Sequence, residues 1–275
     1  MIPASFEYER AESVDHALEL LGQNGGDAKL LAGGHSLLPL MKLRLAQPGM
    51  LIDIGRLSDL SYVREDGDRV AIGALTCHED VSRNDVLKAD CPIVPHAAGE
   101  VGDPQVRHFG TIGGSIAHGD PASDLPSVML ALDAEFVIRG PGGERTAAAA
   151  DFFTGLFEVA LSPQEMLTEI RVPKTGGAGW SYQKFHHRAQ DWAVVGVAAV
   201  ASNGGAHIAL TTMGETPLRA HAVEEALASG ADLATAAQQA DQGTSPPSDP
   251  FGSAEYRRDL AKILTRRALE EALSA

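Results

Sequence analysis

The chain has 275 residues, 44% hydrophobic and 21% charged, the balance of an ordinary soluble globular protein long enough for two or three modest domains. Its 22 Lys and Arg against 37 Asp and Glu leave a net charge of −15, which argues against nucleic acid and anionic lipid as partners, since both call for a basic face. No apolar run reaches the roughly 18 residues of a transmembrane helix, the opening MIPASFEYERAESVDHALELL lacks a signal-peptide core, and the cytoplasm is the expected location.

The first segment reads β-α-β-α and then a strand. Ser13 is a plausible N-cap for a helix carrying Val14, Ala17, Leu18 and Leu21 on one face and ending at Gly22. A turn over Asn24 to Gly26 leads to a buried strand at Ala28 to Leu31. Pro39 confines the start of the next short helix to near position 38, and Met50 to Ile54 is a second buried strand. Beyond Gly55 the texture changes. Tyr62 to Arg64, a turn at Asp66 to Asp68 and Val70 to Ile72 read as a hairpin. A helix around Asp80 to Leu87 follows, then a segment punctuated by Pro92 and Pro95, a strand at Ala134 to Arg139, a turn at 141–143 and a strand at Leu167 to Val172. PKTGGAG at 173–179 is the best linker. These breaks divide the chain into units 1–55, 56–177 and 178–275.

In the third unit, Trp180 to Phe185, Ala193 to Ala201 and His207 to Thr212 read as strands, with a turn at Asn203, Gly204 and Gly205. Alanine-rich helices, a loop at 244–250 and a last helix from near Ser253 complete it. That helix is expected to bury Tyr256, Leu260, Ile263 and Leu264 and to turn Arg258, Lys262 and Arg266 to solvent.

Two glycine stretches carry the chemistry. LLAGGHSLLPLMKLRL (30–45) runs from an apolar strand into Gly33, Gly34, His35 and Ser36; by itself it fits a tight turn, a helix capped by Ser36, or a cradle for phosphate. GTIGGSIAHGDPASDLP (110–126) repeats the pattern around Gly113, Gly114 and Ser115. Together they read as two loops whose backbone N–H groups and two hydroxyls suit the oxygens of one diphosphate. Neither stretch is GxGxxG or GxxxxGKS, which disfavours a Rossmann site or a Walker loop. Ser36 and Ser115 do not sit in GxSxG, so a nucleophile elbow fails at the motif. His35, His118, His186 and His187 show no metal-ligand spacing. Cys77 and Cys91, the only cysteines, form no CxxC; they read as buried thiols and cannot hold an iron–sulfur cluster that needs four ligands. No catalytic acid–base pair stands out.

LLAGGHSLLPLMKLRL and TIGGSIAHGDPASDLP, with VGDPQVRHFG (101–110), LSPQEMLTEIRVP (161–173), YQKFHHRAQDWAVVGVAA (182–199) and SAEYRRDLAKILTRRAL (253–269), resemble in order the FAD-binding medium subunits of the molybdenum hydroxylases. The resemblance is to the carbon monoxide dehydrogenase branch above all, and extends to the flavin domain of xanthine dehydrogenase. It implies an α+β fold: an FAD-binding fold of the p-cresol-methylhydroxylase type in two subdomains, plus a C-terminal subdomain with a small antiparallel sheet and helices. It implies FAD on this chain, with its pyrophosphate wrapped by Ala32, Gly33, Gly34, His35 and Ser36 and by Thr111, Ile112, Gly113, Gly114 and Ser115, and with Leu37 and Ala117 also among the cofactor-binding residues.

By the same resemblance, Asp124 would reach a cofactor hydroxyl, where a helix cap is the alternative. Lys184 would lie beside the flavin ring, against the alternative of a surface lysine. Leu161 would be an apolar contact or simply core, and Trp192 would face the ring or pack between subdomains. The molybdenum cofactor and two [2Fe–2S] clusters are expected on a large and a small partner subunit, in a dimer of heterotrimers. The chain would take electrons from the clusters and pass them to an external acceptor, a quinone or another. The assembly could carry it to the inner face of the membrane. A stand-alone FAD oxidoreductase and a non-redox flavin-binding module are the alternatives.

Overall fold

The computed structural model describes residues 2–202 and 205–274. The N-terminal unit runs β1 (Glu7–Arg10), α1 (Val14–Asn24), β2 (Ala28–Leu31), α2 (Leu37–Lys42) and β3 (Met50–Asp53), its strands forming a parallel sheet in the order β1-β3-β2. The Ser13 side chain accepts the His16 N–H at 3.1 Å and caps α1 as expected. The helix passes Gly22 and ends at Asn24, whose side-chain amide donates to the Leu20 carbonyl at 2.8 Å. Ala17, Leu20 and Leu21 bury its apolar face against Ile52 and Ile54.

The middle unit contains β4 (Val63–Asp66), β5 (Arg69–Gly73), α3 (His78–Arg83), α4 (Asp85–Asp90), α5 (Ile93–Gly99), α6 (Pro104–Phe109), α7 (Ile112–His118), α8 (Asp124–Ala131), β6 (Glu135–Gly140), β7 (Gly143–Ala148), α9 (Ala149–Phe152), β8 (Phe153–Gly155), β9 (Glu158–Val159) and β10 (Met166–Pro173). Five strands form an antiparallel sheet ordered β4-β5-β10-β6-β7. Val70, Ile72, Phe136, Ile138, Ile170 and Val172 project from one face into a core shared with α5, α7 and α8.

Three expectations are corrected here. The helix around Asp80 to Leu87 is two helices, broken where Asn84 leaves helical geometry and accepts the Leu87 N–H at 3.1 Å. The proline-punctuated segment is a helix: Pro92 sits at its N-cap and Pro95 in its first turn, where no N–H is needed. Pro104 opens α6 for the same reason, behind an Asp103 cap that accepts Val106 N–H at 2.8 Å. Cys91 is buried, but Cys77 is only partly so.

The C-terminal unit has β11 (Trp180–Phe185), β12 (Val195–Ser202), β13 (Gly205–Thr211), β14 (Leu218–Arg219), α10 (His221–Ala228), α11 (Leu233–Ala237) and α12 (Ala254–Ala272), with an antiparallel sheet in strand order. Its faces alternate along β12. Ala198 and Val200 join the core of the middle unit beneath α8, while Val195, Val197 and Ala199 face α12. Both faces are covered, so the strand is apolar throughout rather than alternating. Asn203 and Gly204, where a turn was expected, lie outside the described residues.

In α12 the buried stripe contains Arg257, Leu260, Ala261, Leu264, Thr265, Ala268 and Leu269, whereas Tyr256 and Ile263 are exposed. The expected stripe is rotated because Arg257, an unpromising core residue, spends its Nη donors on the Val194 carbonyl and the Asp249 carboxylate, while its Nε has no partner among the described residues. No described helix is long and apolar enough to cross a membrane.

Candidate functional site

The end of β2 is fixed by Leu31, whose carbonyl accepts the Ile54 N–H at 3.0 Å. Ala32 and Gly33 then leave the sheet. A β-carbon at Gly33 would lie 1.9 Å from the Phe109 carbonyl oxygen, so only glycine admits the close approach of these two backbones. Gly34 adopts φ +74°, the left-handed region, and its carbonyl accepts Leu38 N–H at 3.0 Å to start α2. Ser36 has helical backbone angles and caps nothing with its side chain, which removes the capping alternative. Among the described residues the N–H groups of Gly33, Gly34, His35 and Ser36 donate to no protein acceptor. His35 lies exposed with its ring 5.8 Å from that of Phe109. Leu37 is the first residue of α2.

The second stretch is a helix start rather than a loop, a correction to the expectation of two similar cradles. Thr111 is the N-cap of α7, its Oγ1 accepting Gly114 N–H at 3.1 Å. The N–H groups of Ile112 and Gly113 donate to the carbonyls of Thr76 and Ala74 at 3.0 and 2.9 Å, and Ser115 N–H donates to the Thr111 carbonyl. A β-carbon at Gly113 would meet the Ala74 side chain at 2.5 Å, so this glycine permits helix packing. The stretch offers the Thr111 N–H and the Ser115 hydroxyl, unpartnered among the described residues, at the positive end of a short helix. Ala117 lies in its last turn and is half-buried. His118 packs its ring 5.1 Å from Phe157, and burial lowers its pKa.

Gly33 and Phe109 thus bring the two stretches side by side. On one flank are four uncommitted N–H groups, on the other an N–H and a hydroxyl; no side-chain cation is required. This donor set fits a diphosphate.

Asp124 is the first residue of α8, with Ser123 at the cap position, so the capping alternative for Asp124 also fails. Its Oδ1 accepts the Tyr182 hydroxyl at 2.6 Å and its Oδ2 the Lys184 ammonium at 2.9 Å. Tyr182 and Lys184 alternate on one face of β11 and both reach α8. The Lys184 side chain is 4% exposed and that of Asp124 7%, which excludes a surface lysine. Burial pushes the Asp124 carboxyl up, against the pull of Lys184 and the Tyr182 hydroxyl, and holds the Tyr182 phenol well above its usual range.

Lys184 also donates to the Glu100 carbonyl at 2.9 Å. Leu161 packs against the edge of the middle core. Trp192 is 67% exposed in the loop after β11, rather than packed between subdomains. Sequence reasoning missed Tyr182 and Arg107. The i, i+2 spacing of Tyr182 and Lys184 on a strand was the available sign of the first.

His78, the first residue of α3, lies under Gly110 with its N–H on the Gly110 carbonyl at 2.9 Å and Nδ1 without a partner among the described residues. Burial, with Arg107 and His35 nearby, lowers its pKa to about 4. The unfolded chain, with a histidine pKa of about 6.5, therefore binds the extra proton first as pH falls. Stability contributed by neutral His78 is lost between about pH 6.5 and about pH 4, amounting to about 2 kcal/mol at about pH 5. Denaturant unfolding of wild type and His78→Phe at about pH 7 and about pH 5 checks this: the substituted protein should lose less stability over that interval.

The chain matches the family described as FAD binding domain in molybdopterin dehydrogenase over residues 4–175, and the family described as CO dehydrogenase flavoprotein C-terminal domain over residues 180–272. It is 44% identical over 288 residues to the carbon monoxide dehydrogenase medium chain of Hydrogenophaga pseudoflava, covering 99% of this chain and 98% of that one. It is 40% identical to the glyceraldehyde dehydrogenase medium chain of Sulfolobus acidocaldarius, covering 98% and 99%. A solved carbon monoxide dehydrogenase from Hydrogenophaga pseudoflava, lacking the Mo-pyranopterin moiety of its molybdenum cofactor, superposes with a TM-score of 0.96 at 45% identity, covering 100% of this chain and 99% of that one. With both halves matched and identity sustained from end to end, the chain belongs to the FAD-binding medium subunits of the molybdenum hydroxylases.

Proposed function

We propose that the chain takes electrons from the [2Fe–2S] clusters of a small partner subunit and delivers them, through FAD, to an external acceptor such as a quinone. Substrate oxidation belongs to a large subunit with the molybdenum cofactor, and a carbon monoxide dehydrogenase-like complex is favoured. The observation that carries the reading is the contact of Gly33 with the Phe109 carbonyl, which joins four uncommitted N–H groups to the start of α7.

In this reading the N–H groups of Gly33, Gly34, His35 and Ser36, with the Thr111 N–H and the Ser115 hydroxyl, hold the cofactor diphosphate, while Ala32, Leu37, Ile112, Gly113, Gly114 and Ala117 shape the cradle around it. The dianion is neutralised without a basic cluster, consistent with a chain of net charge −15. Asp124 accepts from a cofactor hydroxyl, and Lys184 supplies the positive end of a buried ion pair to the flavin. Leu161 and Trp192 cover apolar surface of the cofactor. Bound FAD supplies two-electron and one-electron chemistry to a chain that has none of its own. With FAD bound, the Lys184 ammonium, held with Asp124 in a site of low dielectric, would favour negative charge on the ring beside it.

The complex is a dimer of heterotrimers, and any contact with the membrane runs through the assembly. Co-expression with an iron–sulfur and a molybdenum subunit of the family, and purification through a tag on this chain, tests the reading. A complex containing FAD, iron and molybdenum is the expected product. Flavin on a metal-free, unaccompanied chain would point instead to a stand-alone flavoprotein or flavin-binding module, and absence of flavin would overturn all three.

A further inference from the structure

Four consecutive peptide carbonyls, from Gly99 at the end of α5 to Gly102 in the turn before α6, each lie within hydrogen-bond distance of a cation. Arg107 Nη1 shares its two N–H donors among the carbonyls of Gly99, Val101 and Gly102, at 3.1, 3.1 and 3.3 Å. The remaining carbonyl, of Glu100, receives Lys184 at 2.9 Å. Arg107 is itself anchored: its Nε meets Glu79 Oε2 at 3.2 Å, and Glu79, 11% exposed in its side chain, is held from the other side by Arg83 at 2.6 Å. Gly102 turns the loop with φ +47°. The path from Arg107 to Lys184 is therefore one short loop in which the guanidinium holds the carbonyls on both sides of Glu100, whose own carbonyl meets the lysine.

An ammonium has three donors. For Lys184 two are fixed, on Glu100 O and Asp124 Oδ2, and Asp124 is fixed in turn by Tyr182. With two directions set, the third is determined. We propose that Arg107, acting through the carbonyls of residues 99–102, is a positioning residue that holds the Lys184 ammonium in the orientation used toward the flavin. Arg107 also lies two residues before Phe109, whose carbonyl meets Gly33, so α6 braces the glycine cradle and the lysine together. The inference rests on the reading that this chain carries FAD and that Lys184 faces its ring.

The test uses the complex assembled with its partner subunits and reads the midpoint potential of the bound FAD, alongside FAD content and melting temperature. Lys184→Met is expected to disfavour reduced flavin at least tenfold, about 30 mV lower for a two-electron couple. Arg107→Met should move the potential the same way, and the double variant no further than Lys184→Met alone, because both remove one interaction. Arg107→Lys keeps the charge but presents a point where a planar fork is needed. It should still lower the potential by several-fold in the equilibrium, and it serves as the primary variant if Arg107→Met fails to assemble.

An unshifted potential in Arg107→Lys, with or without a lower melting temperature, would show that Arg107 acts by charge or only staples the loop, and would overturn the proposal. Additive shifts in the double variant would do the same. A wild-type potential in Lys184→Met would overturn both this proposal and the placement of Lys184 at the ring. FAD content near one per chain would then leave the broader FAD reading standing, and its absence from the wild-type complex would remove that reading as well.

Discussion

Gly33→Ala is expected to abolish FAD retention while the chain still folds. The added β-carbon would stand 1.9 Å from the Phe109 carbonyl oxygen and 2.6 Å from its carbon, and both obstacles are backbone. Neither can rotate away, so loop 32–36 must lift off α6 and carry its N–H groups out of register with the start of α7. Overpacking of this kind costs about 1–3 kcal/mol in stability. That is tolerable for a domain of typical stability, whereas a displacement of an ångström or more undoes a set of aligned donors. Gly34→Ala is the control. Its obstacle at 2.8 Å is the flexible end of Leu38, and the cost of a left-handed alanine is about 1 kcal/mol. Equilibrium dialysis of FAD against both variants in the assembled complex should show loss of at least a hundredfold for Gly33→Ala and a much smaller loss for Gly34→Ala. Equal losses would mean that loop strain, not the contact with Phe109, governs the site.

Asp124→Ala should destabilise the protein by about 3–5 kcal/mol, the usual consequence of leaving one partner of a buried ion pair alone. Lys184 would keep its charge with only the Glu100 carbonyl for company, and the Tyr182 hydroxyl would lose its acceptor inside a fully buried site. Because Asp124 lies on α8 and its two partners on β11, the loss falls on the seam between the middle and C-terminal units. Replacing both charges, Asp124→Leu with Lys184→Met, should recover much of that loss, since a buried pair contributes little beyond a well-packed apolar substitute. Denaturant midpoints of the wild type, the single variants and the double variant measure the effect. A loss below about 1 kcal/mol in Asp124→Ala would place the pair in solvent.

Local periodicity made most of the framework legible. Ser13, the apolar face of α1, the strands of the first unit and the hairpin around Gly67 were readable because each rests on residues a few positions apart. Helices α5, α6 and α7 were not. Prolines and paired glycines lower intrinsic helix preference, and what overrides that preference is tertiary: the first turn needs no N–H at Pro95 or Pro104, and Gly113 is chosen by the side chain of Ala74. The same limit applied to the candidate site. The glycine stretches announced themselves as motifs, but the asymmetry between them did not, because it depends on where the N–H groups of Ile112 and Gly113 find their acceptors. Tyr182 and Asp124 are 58 positions apart, and Lys184 and the Glu100 carbonyl 84, so no local pattern could join them. The rotation of the α12 stripe has a similar origin, since Arg257 is buried only by virtue of Asp249 and Val194.

The most direct test of the electron-relay reading is transfer itself. The iron–sulfur partner is reduced, freed of excess reductant, and mixed anaerobically with the FAD-loaded chain while the visible absorbance of both centres is followed. Bleaching of the flavin in step with reoxidation of the clusters is the predicted result. A stable complex in which the clusters remain reduced beside oxidised FAD would contradict it.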